Sequence, residues 1–540
     1  MTLLRAVLAL LAISCSSAPG GPAQVVSAGT PEVGVRRELV RVDSPAPPPN
    51  PVTQEATPGA LNHTTVVRYR QDVEPPAPVT AVILAMPGFI AGAAAFDQLG
   101  RAAVQRGIAA GAPVEVWAVD RRSNQLEDLT GMAVARDAGN PELATAYYFQ
   151  GALAAGRTFG AFLPQSAAGY ESEWGLAAHI DDLEAVLAVI PGDHRGHVFL
   201  LGHSLGGSFA EAYGAWRFAD GGRGADHVAG LILIDGALGS APVSQAEYET
   251  TGLPGTLGPT PSLEQIRADS RYYALPFLGT RVYALSEIMA QRALVAPSGV
   301  VTDPVRDGVL ELLLGLGSGQ VPHLTNRAAL GFGFDVAFCP LPFVAASLGQ
   351  PTGGPTETYR SFLGGTLRHP TDPAATYDWI DAPQATPPGL TPVTNLARSY
   401  SFPGTNFTEW YFPNRLPLDL GAVAGGAVAE TGWQASHGLR AFDGPRNDAP
   451  VLGISGVFVS PEQYRALAGR LAPTVGPGRR HAGAARTTDQ GYRVIDGAGF
   501  SHVDLLTADD GPGNPVPAAI SAFVADQVVP GTITVRIPGD

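Results

Sequence analysis

Val198-Phe199-Leu200-Leu201-Gly202-His203-Ser204-Leu205-Gly206-Gly207 is the stretch whose reading decides the fold of this chain. Four apolar residues run into Gly-x-Ser-x-Gly, and residues 208–218 (SFAEAYGAWRF) follow with the composition of a helix. The pattern is strand, sharp turn, helix. A serine on so tight a turn is held in a strained backbone conformation with its hydroxyl exposed. Side chains two positions to either side would collide with the crossing helix or strand, so Gly202 and Gly206 stand there. The helix points its N-terminus at the place where a developing oxyanion would sit. A bare Gly-x-Ser-x-Gly arises easily by chance in a chain with 66 glycines. The apolar strand before it, His203 inside it and the helix behind it make Ser204 a candidate nucleophile rather than one residue of a Gly-rich turn.

Outward from this turn the chain keeps a rhythm. Residues 33–42 (VGVRRELVRV) can form a first strand, and residues 61–70 (LNHTTVVRYR) alternate as another. Residues 79–86 (VTAVILAM) are an apolar run broken only by Thr80, the mark of a strand buried on both faces of a parallel sheet. A helix over 96–110, a strand over 114–119 and a helix over 175–189 follow, the last with Ile180, Leu183, Val186 and Leu187 at helical spacing. Beyond the serine, residues 228–234 (VAGLILI) are another buried strand, ended by Asp235-Gly236. Strands alternating with helices predict an α/β protein with a mostly parallel sheet.

Residues 240–447 break the rhythm. They are rich in Pro, Gly and aromatics, with short helical pieces and no βα alternation. Trp379, Trp410, Tyr411, Phe412 and Trp433 fall inside and either face a large apolar substrate or form the segment's own core. Cys339 reads as a buried free thiol. The rhythm returns with a strand at 449–456, a helix at 461–471, a short last strand at 492–495 and a helix over 516–528.

Composition narrows the function. The chain has 540 residues, 45% hydrophobic and 15% charged, which is globular and long enough for a large core. Its net charge is −15 and all 34 basic residues are arginine, which argues against non-specific nucleic-acid binding. No His-x-x-x-His or Cys-x-x-Cys stands in the sequence to hold a metal, and no Gly-rich dinucleotide fingerprint opens an early βαβ unit, so neither metal nor cofactor is expected. Glu127 and Asp128 read as solvated carboxylates or partners of an arginine.

The serine segment resembles the lipase-type signature of the α/β-hydrolase superfamily, and the resemblance extends over roughly 60–239 and 448–530. It implies an α/β-hydrolase fold with a large, mainly helical or irregular cap inserted after the sixth strand. It also implies a site. A serine hydroxyl needs a base, and the base an acid; in this superfamily the chain order is Ser, then Asp or Glu, then His in a loop after the last strand. His502, in Gly497-Ala-Gly-Phe-Ser-His502, fits the base. Two carboxylates remain open for the acid: Asp235, at the end of the strand after the serine, and Glu462, nearest to the loop after the strand at 451–455. Asp504 is too near His502 in sequence for that role but can orient its loop. Pro87-Gly88-Phe89 occupies the place of the loop that donates the second oxyanion-hole amide, so the amides of Phe89 and Leu205 are the implied pair, although Pro87 replaces the usual His. Asp120 and Arg121 sit where an Asp–Arg pair buttresses loops.

The N-terminus carries a second resemblance. A weakly basic start, an apolar run over 6–13 and Leu11-Ala12-Ile13-Ser14-Cys15 resemble a bacterial lipoprotein signal, in which the cysteine is acylated; ordinary secretion is the alternative. The expected organisation is a signal over 1–15, a linker over 16–32, core over 33–239, cap over 240–447 and core over 448–540. The implied function is an exported carboxylic-ester hydrolase, esterase- or lipase-like, acting on a small-molecule or lipid ester, with membrane contact only through a lipid on Cys15. The alternatives are an amidase or peptidase on the same residues, and a catalytically idle surface binding protein.

Overall fold

A computed structural model of the chain describes residues 23–190, 196–255, 258–274 and 279–538. The signal over 1–15, Cys15 included, lies outside these residues. Nine strands form one sheet: β1 (Ala23–Ala28), β2 (Val35–Asp43), β3 (His63–Gln71), β4 (Ala81–Met86), β5 (Val114–Asp120), β6 (Val198–His203), β7 (Gly230–Ile234), β8 (Val451–Ile454) and β9 (Tyr492–Ile495). Their order is β1-β2-β3-β5-β4-β6-β7-β8-β9. The strands from β5 to β9 run parallel, and β1, β2 and β3 add an antiparallel edge. This is the mixed α/β architecture that the alternation predicts.

The parallel strands are apolar throughout because both faces are covered. Along β4 and β6, Val82, Leu84, Val198 and Leu200 enter one core, while Ile83, Ala85, Phe199 and Leu201 enter the other, the two-residue period of a pleated strand. The first core takes Ile180, Leu183 and Val186 of α2 (Leu176–Val189) and Phe209 of α3 (Leu205–Gly214). The second takes Leu99 and Val104 of α1 (Asp97–Ala109) and Ile520 and Phe523 of the C-terminal helix Pro515–Gln527. Full burial of each such side chain stabilises by roughly 1.5–3 kcal/mol.

Two expectations are corrected here. The linker over 16–32 does not hold for its second half, because residues 23–28 pair antiparallel with β2 as an edge strand. Their alternation is weak, with only Ala23 buried, so pairing rather than pattern makes the strand. The segment between β7 and β8, expected to be helical or irregular, also carries a three-stranded sheet and the hairpin of Thr356–Arg360 with Thr366–Pro370. Its helices Thr280–Val295, Pro304–Leu313, Asn326–Phe334 and Val393–Tyr400 pack on the second core. Trp379, Trp410, Tyr411 and Phe412 are buried within the protein; Trp379 packs on Phe332 and Phe338 and gives its indole N–H to the Leu348 carbonyl at 3.0 Å. They are core residues and do not line the cavities described below.

Candidate active site

Three adjacent strand ends build the site. The Ser204 amide donates to the carbonyl of Ile234 at the end of β7, and the Asp235 amide donates to that of Ile454 at the end of β8, at 2.9 and 2.8 Å. The ladder therefore sets Ser204 and Asp235 side by side at the carboxyl edge of the sheet. Both have backbones that side chains rarely adopt, φ 57° at Ser204 and φ 43° at Asp235. Such conformations cost about 1–3 kcal/mol each and persist only where the surroundings over-determine them. At Ser204 the surroundings are close backbones. A Cβ on Gly202 would strike the Gly206 carbonyl, and one on Gly206 would strike the Met86 carbonyl.

His502 comes from the loop after β9. Its Nδ1 lies 2.6 Å from Asp235 Oδ2, and both side chains are buried. Asp235 is itself held: Oδ1 accepts the amides of Phe458 and Val459 at 2.8 and 2.9 Å, and Oδ2 accepts that of Val457 at 3.1 Å. An ionised carboxylate in this cradle makes Nδ1 the protonated nitrogen of the imidazole, leaving Nε2 with its lone pair. Ser204 and His502 line one cavity of about 310 Å³ with Gly88, Phe89 and His203. Glu462, the other carboxylate open in the sequence, is exposed on the first turn of the helix Pro461–Ala468 and pairs with Arg465. Of the two acids, the fold brings Asp235 to the histidine.

His203 donates from Nε2 to the His502 carbonyl at 3.0 Å, and the two rings lie 4.2 Å apart between centroids. Burial, with the neighbouring His502 adding to it, pushes His203 well below the usual histidine range, so it stays neutral and braces the base from below. Phe458 meets His502 edge to face at 4.6 Å. Two other histidines beyond the serine lie elsewhere: His437 pairs with Glu249, and His481 with Asp526.

The loop after β4 passes directly over the serine. A Cβ on Gly88 would lie 2.9 Å from Ser204 Cβ. Among the described residues, neither the Phe89 nor the Leu205 amide is taken by an acceptor, and Leu205 opens α3 with the positive end of its dipole at the serine. Arg121 holds this loop from behind. Its guanidinium donates to the carbonyls of Pro87, Gly88 and Ala91 and pairs with buried Glu409 at 2.7 Å. Asp120, beside it, accepts the Ala93 amide and the Thr405 hydroxyl, and burial raises it to about 7. Arg121 thus fits the buttressing part expected of the Asp–Arg pair.

Sequence reasoning missed how residues 343–347, between β7 and β8, grip the histidine loop. The Ser501 hydroxyl and the Val503 amide both donate to the Ala345 carbonyl, and Asp504 accepts the amide and hydroxyl of Ser347 and the hydroxyl of Thr391. Asp504 also accepts the Ser501 hydroxyl at 2.7 Å, so it orients the loop that carries His502. Only the Gly-x-Gly-Phe-Ser-His setting hinted at this; the partners lie more than 100 residues away. Glu127 is a further correction. It is not solvated but buried beside Glu287, and the Asn406 amide bridges both carboxyls at 2.6 Å. Asp128, in contrast, pairs with Arg157 as one of the two readings had it.

A second, larger cavity of about 680 Å³ adjoins the first among helices of the segment between β7 and β8. Phe343, Val344 and Phe407 line both. Its walls are almost wholly apolar side chains, among them Leu285, Met289, Leu310 and Leu313.

Serine at a strained strand-to-helix turn, Asp after the next strand and His after the last strand are together the arrangement of the α/β-hydrolase fold. No protein-family model matches the sequence, and no curated protein is significantly similar to it. Among solved structures, the chain is similar to the peroxisomal α/β-hydrolase of Saccharomyces cerevisiae at 10% identity, with 94% of this chain and 93% of that one covered and a TM-score of 0.38. It is similar to an α/β-hydrolase fold protein from Nakamurella multipartita at 12% identity, covering 89% and 99%, with a TM-score of 0.30. A soluble variant of the Saccharomyces cerevisiae monoglyceride lipase matches at 11% identity, covering 86% and 91%, with a TM-score of 0.28. Likenesses this distant assign no substrate and no chemistry.

Proposed function

We propose that this chain is a serine hydrolase that cleaves carboxylic esters with an apolar acyl or alcohol part. The observation that carries the proposal is the Asp235–His502 hydrogen bond of 2.6 Å at the wall of the cavity that Ser204 shares. Ser204 Oγ attacks the ester carbonyl while His502 Nε2 takes its proton, and Asp235 stabilises the imidazolium that forms. The amides of Leu205 and Phe89 receive the oxyanion, each such donor contributing about 3–4 kcal/mol to the transition state. His502 then protonates the leaving alkoxide, and a water activated by the same nitrogen releases the acid. The apolar cavity behind Phe343 and Phe407 supports an apolar substrate. An idle binding protein would have had no need of a carboxylate cradled by three amides behind its histidine, and that cradle weighs against it.

The test is the intact mass of the protein after treatment with a fluorophosphonate, with Ser204→Ala alongside. One adduct on the wild type and none on the variant is expected, and panels of esters and amides then decide which bond is cleaved. A folded wild type that reacts neither with the fluorophosphonate nor with the smaller phenylmethylsulfonyl fluoride would overturn the proposal. Export with a lipid on Cys15 belongs to the same reading and is supported by the N-terminal sequence alone. Detergent-phase partition of the full chain, lost in Cys15→Ala, is the expected result; aqueous partition of the unaltered chain would refute it.

A further inference from the structure

The larger cavity contains a chemical mismatch. Four polar side chains stand among its walls: Tyr283, Ser286, Tyr400 and Thr408. Two are satisfied, since Ser286 donates to the Val282 carbonyl at 2.9 Å and Thr408 to Glu287 at 2.7 Å. The hydroxyls of Tyr283 and Tyr400 are buried and have no hydrogen-bond partner among the described residues. The two residues are 5% and 1% exposed, so bulk water does not serve them. Phenylalanine would fill the same space without leaving a buried hydroxyl unpaired, which is among the more costly features a core can carry.

One of the two rings is also fixed. Tyr400, at the end of its helix, stacks on Phe407 at 4.4 Å with the planes 5° apart, and packs against Phe334 at 5.0 Å. Its ring cannot swing away to find a partner, and Phe407 is one of the residues shared with the serine's cavity. Burial pushes both phenols up, so both remain protonated donors.

We infer that this cavity takes the body of the ester substrate and that Tyr283 and Tyr400 hydrogen-bond an oxygen carried part-way along it. The inference rests on the ester-hydrolase reading and narrows it. The substrate class is an oxygenated apolar ester, bearing a keto, ether or hydroxyl oxygen remote from the scissile bond, rather than a plain fatty ester. A site built to hydrogen-bond a polar group discriminates against the analogue lacking it, because its own groups are then left unpaired.

The experiment compares 4-nitrophenyl decanoate with a series of oxo-decanoates in which a carbonyl replaces one methylene at successive positions. The readout is the ratio of kcat/KM for each oxo ester to that of the parent within one protein, which is independent of the fraction folded. At one or two adjacent positions the ratio is expected to reach about tenfold, the worth of one buried hydrogen bond. Tyr283→Phe and Tyr400→Phe should bring it towards one. A ratio at or below one at every position, or an unchanged preference in both variants, overturns the inference. Should the wild type hydrolyse none of these esters, the ester reading fails on its own, and the cavity is tested by binding. Dialkyl ketones should then raise the melting temperature of Ser204→Ala protein where alkanes of equal length do not. Equal shifts would overturn the inference.

Discussion

Asp235→Asn tests the site most sharply, because the structure dictates what the new side chain must do. Asp235 receives four donors: Phe458 and Val459 amides on Oδ1, the Val457 amide and His502 Nδ1 on Oδ2. An asparagine has one acceptor oxygen and one NH2. With its oxygen towards Phe458 and Val459, the NH2 opposes a single amide, that of Val457, and faces the imidazole. With the oxygen towards His502, the NH2 opposes two amides. The first arrangement wins by one buried unpaired amide, about 1–3 kcal/mol. It forces His502 into the other tautomer, with Nδ1 accepting and Nε2 protonated, so Nε2 cannot take the Ser204 proton. The expected loss in kcat is on the order of 10⁴, about 5.5 kcal/mol of transition-state stabilisation. The assay is kcat on a chromogenic ester, with the melting temperature as a check that the fold survives. A variant within tenfold of wild type, or a Glu462→Gln variant that loses as much, would refute the reasoning.

Two further outcomes follow from the geometry. Gly88→Ala places a methyl 2.9 Å from Ser204 Cβ and 3.4 Å from Oγ, and should cut kcat/KM about a hundredfold by displacing the nucleophile or the loop above it; a rate within threefold of wild type would show that the loop stands further off. The buried carboxyls govern stability against pH. Burial raises Glu287 to about 8 from a usual value near 4.5, and Asp335 to about 6. The native state therefore binds more protons than the unfolded chain between these values, so stability is fullest below about pH 4.5 for Glu287 and is lost as pH rises through about 8. Glu287→Gln, whose carbonyl can still accept from Asn406, Thr408 and Trp410, should flatten the fall in melting temperature between pH 5 and about 8. An unchanged slope in that variant would place the dependence on other groups.

The nucleophile was legible because its requirements are local. A strained turn between a buried strand and a helix needs glycines at fixed offsets, and those stand within ten residues of one another. The parallel strands were legible for a similar reason: a strand covered on both faces must be apolar at every position, and residues 81–86, 198–201 and 228–234 are. What a local pattern cannot carry is the identity of a partner far along the chain. Asp235 and Glu462 looked alike as residues after a strand; one has an inward position beside a ladder that ends at Ile454, the other an exposed helical turn. Glu127 read as solvated because its partner Glu287 lies in the insertion, 160 residues on, and only packing brings the two carboxyls under one amide.

By itself, then, the sequence determined the α/β rhythm, the serine turn and the loop that holds the histidine, all of which follow from periodicity and backbone sterics over short spans. Tertiary structure alone decided which carboxylate meets His502 and that Trp379 and Trp410 are buried in the cores on either face of the sheet. It also decided that Phe343 and Phe407 line the site and that two tyrosine hydroxyls stand unpaired beside an apolar cavity. The physical reason is the same in each case. Burial and hydrogen-bond partnership are properties of pairs, and these pairs join strands, loops and the insertion across distances in sequence that no local periodicity spans.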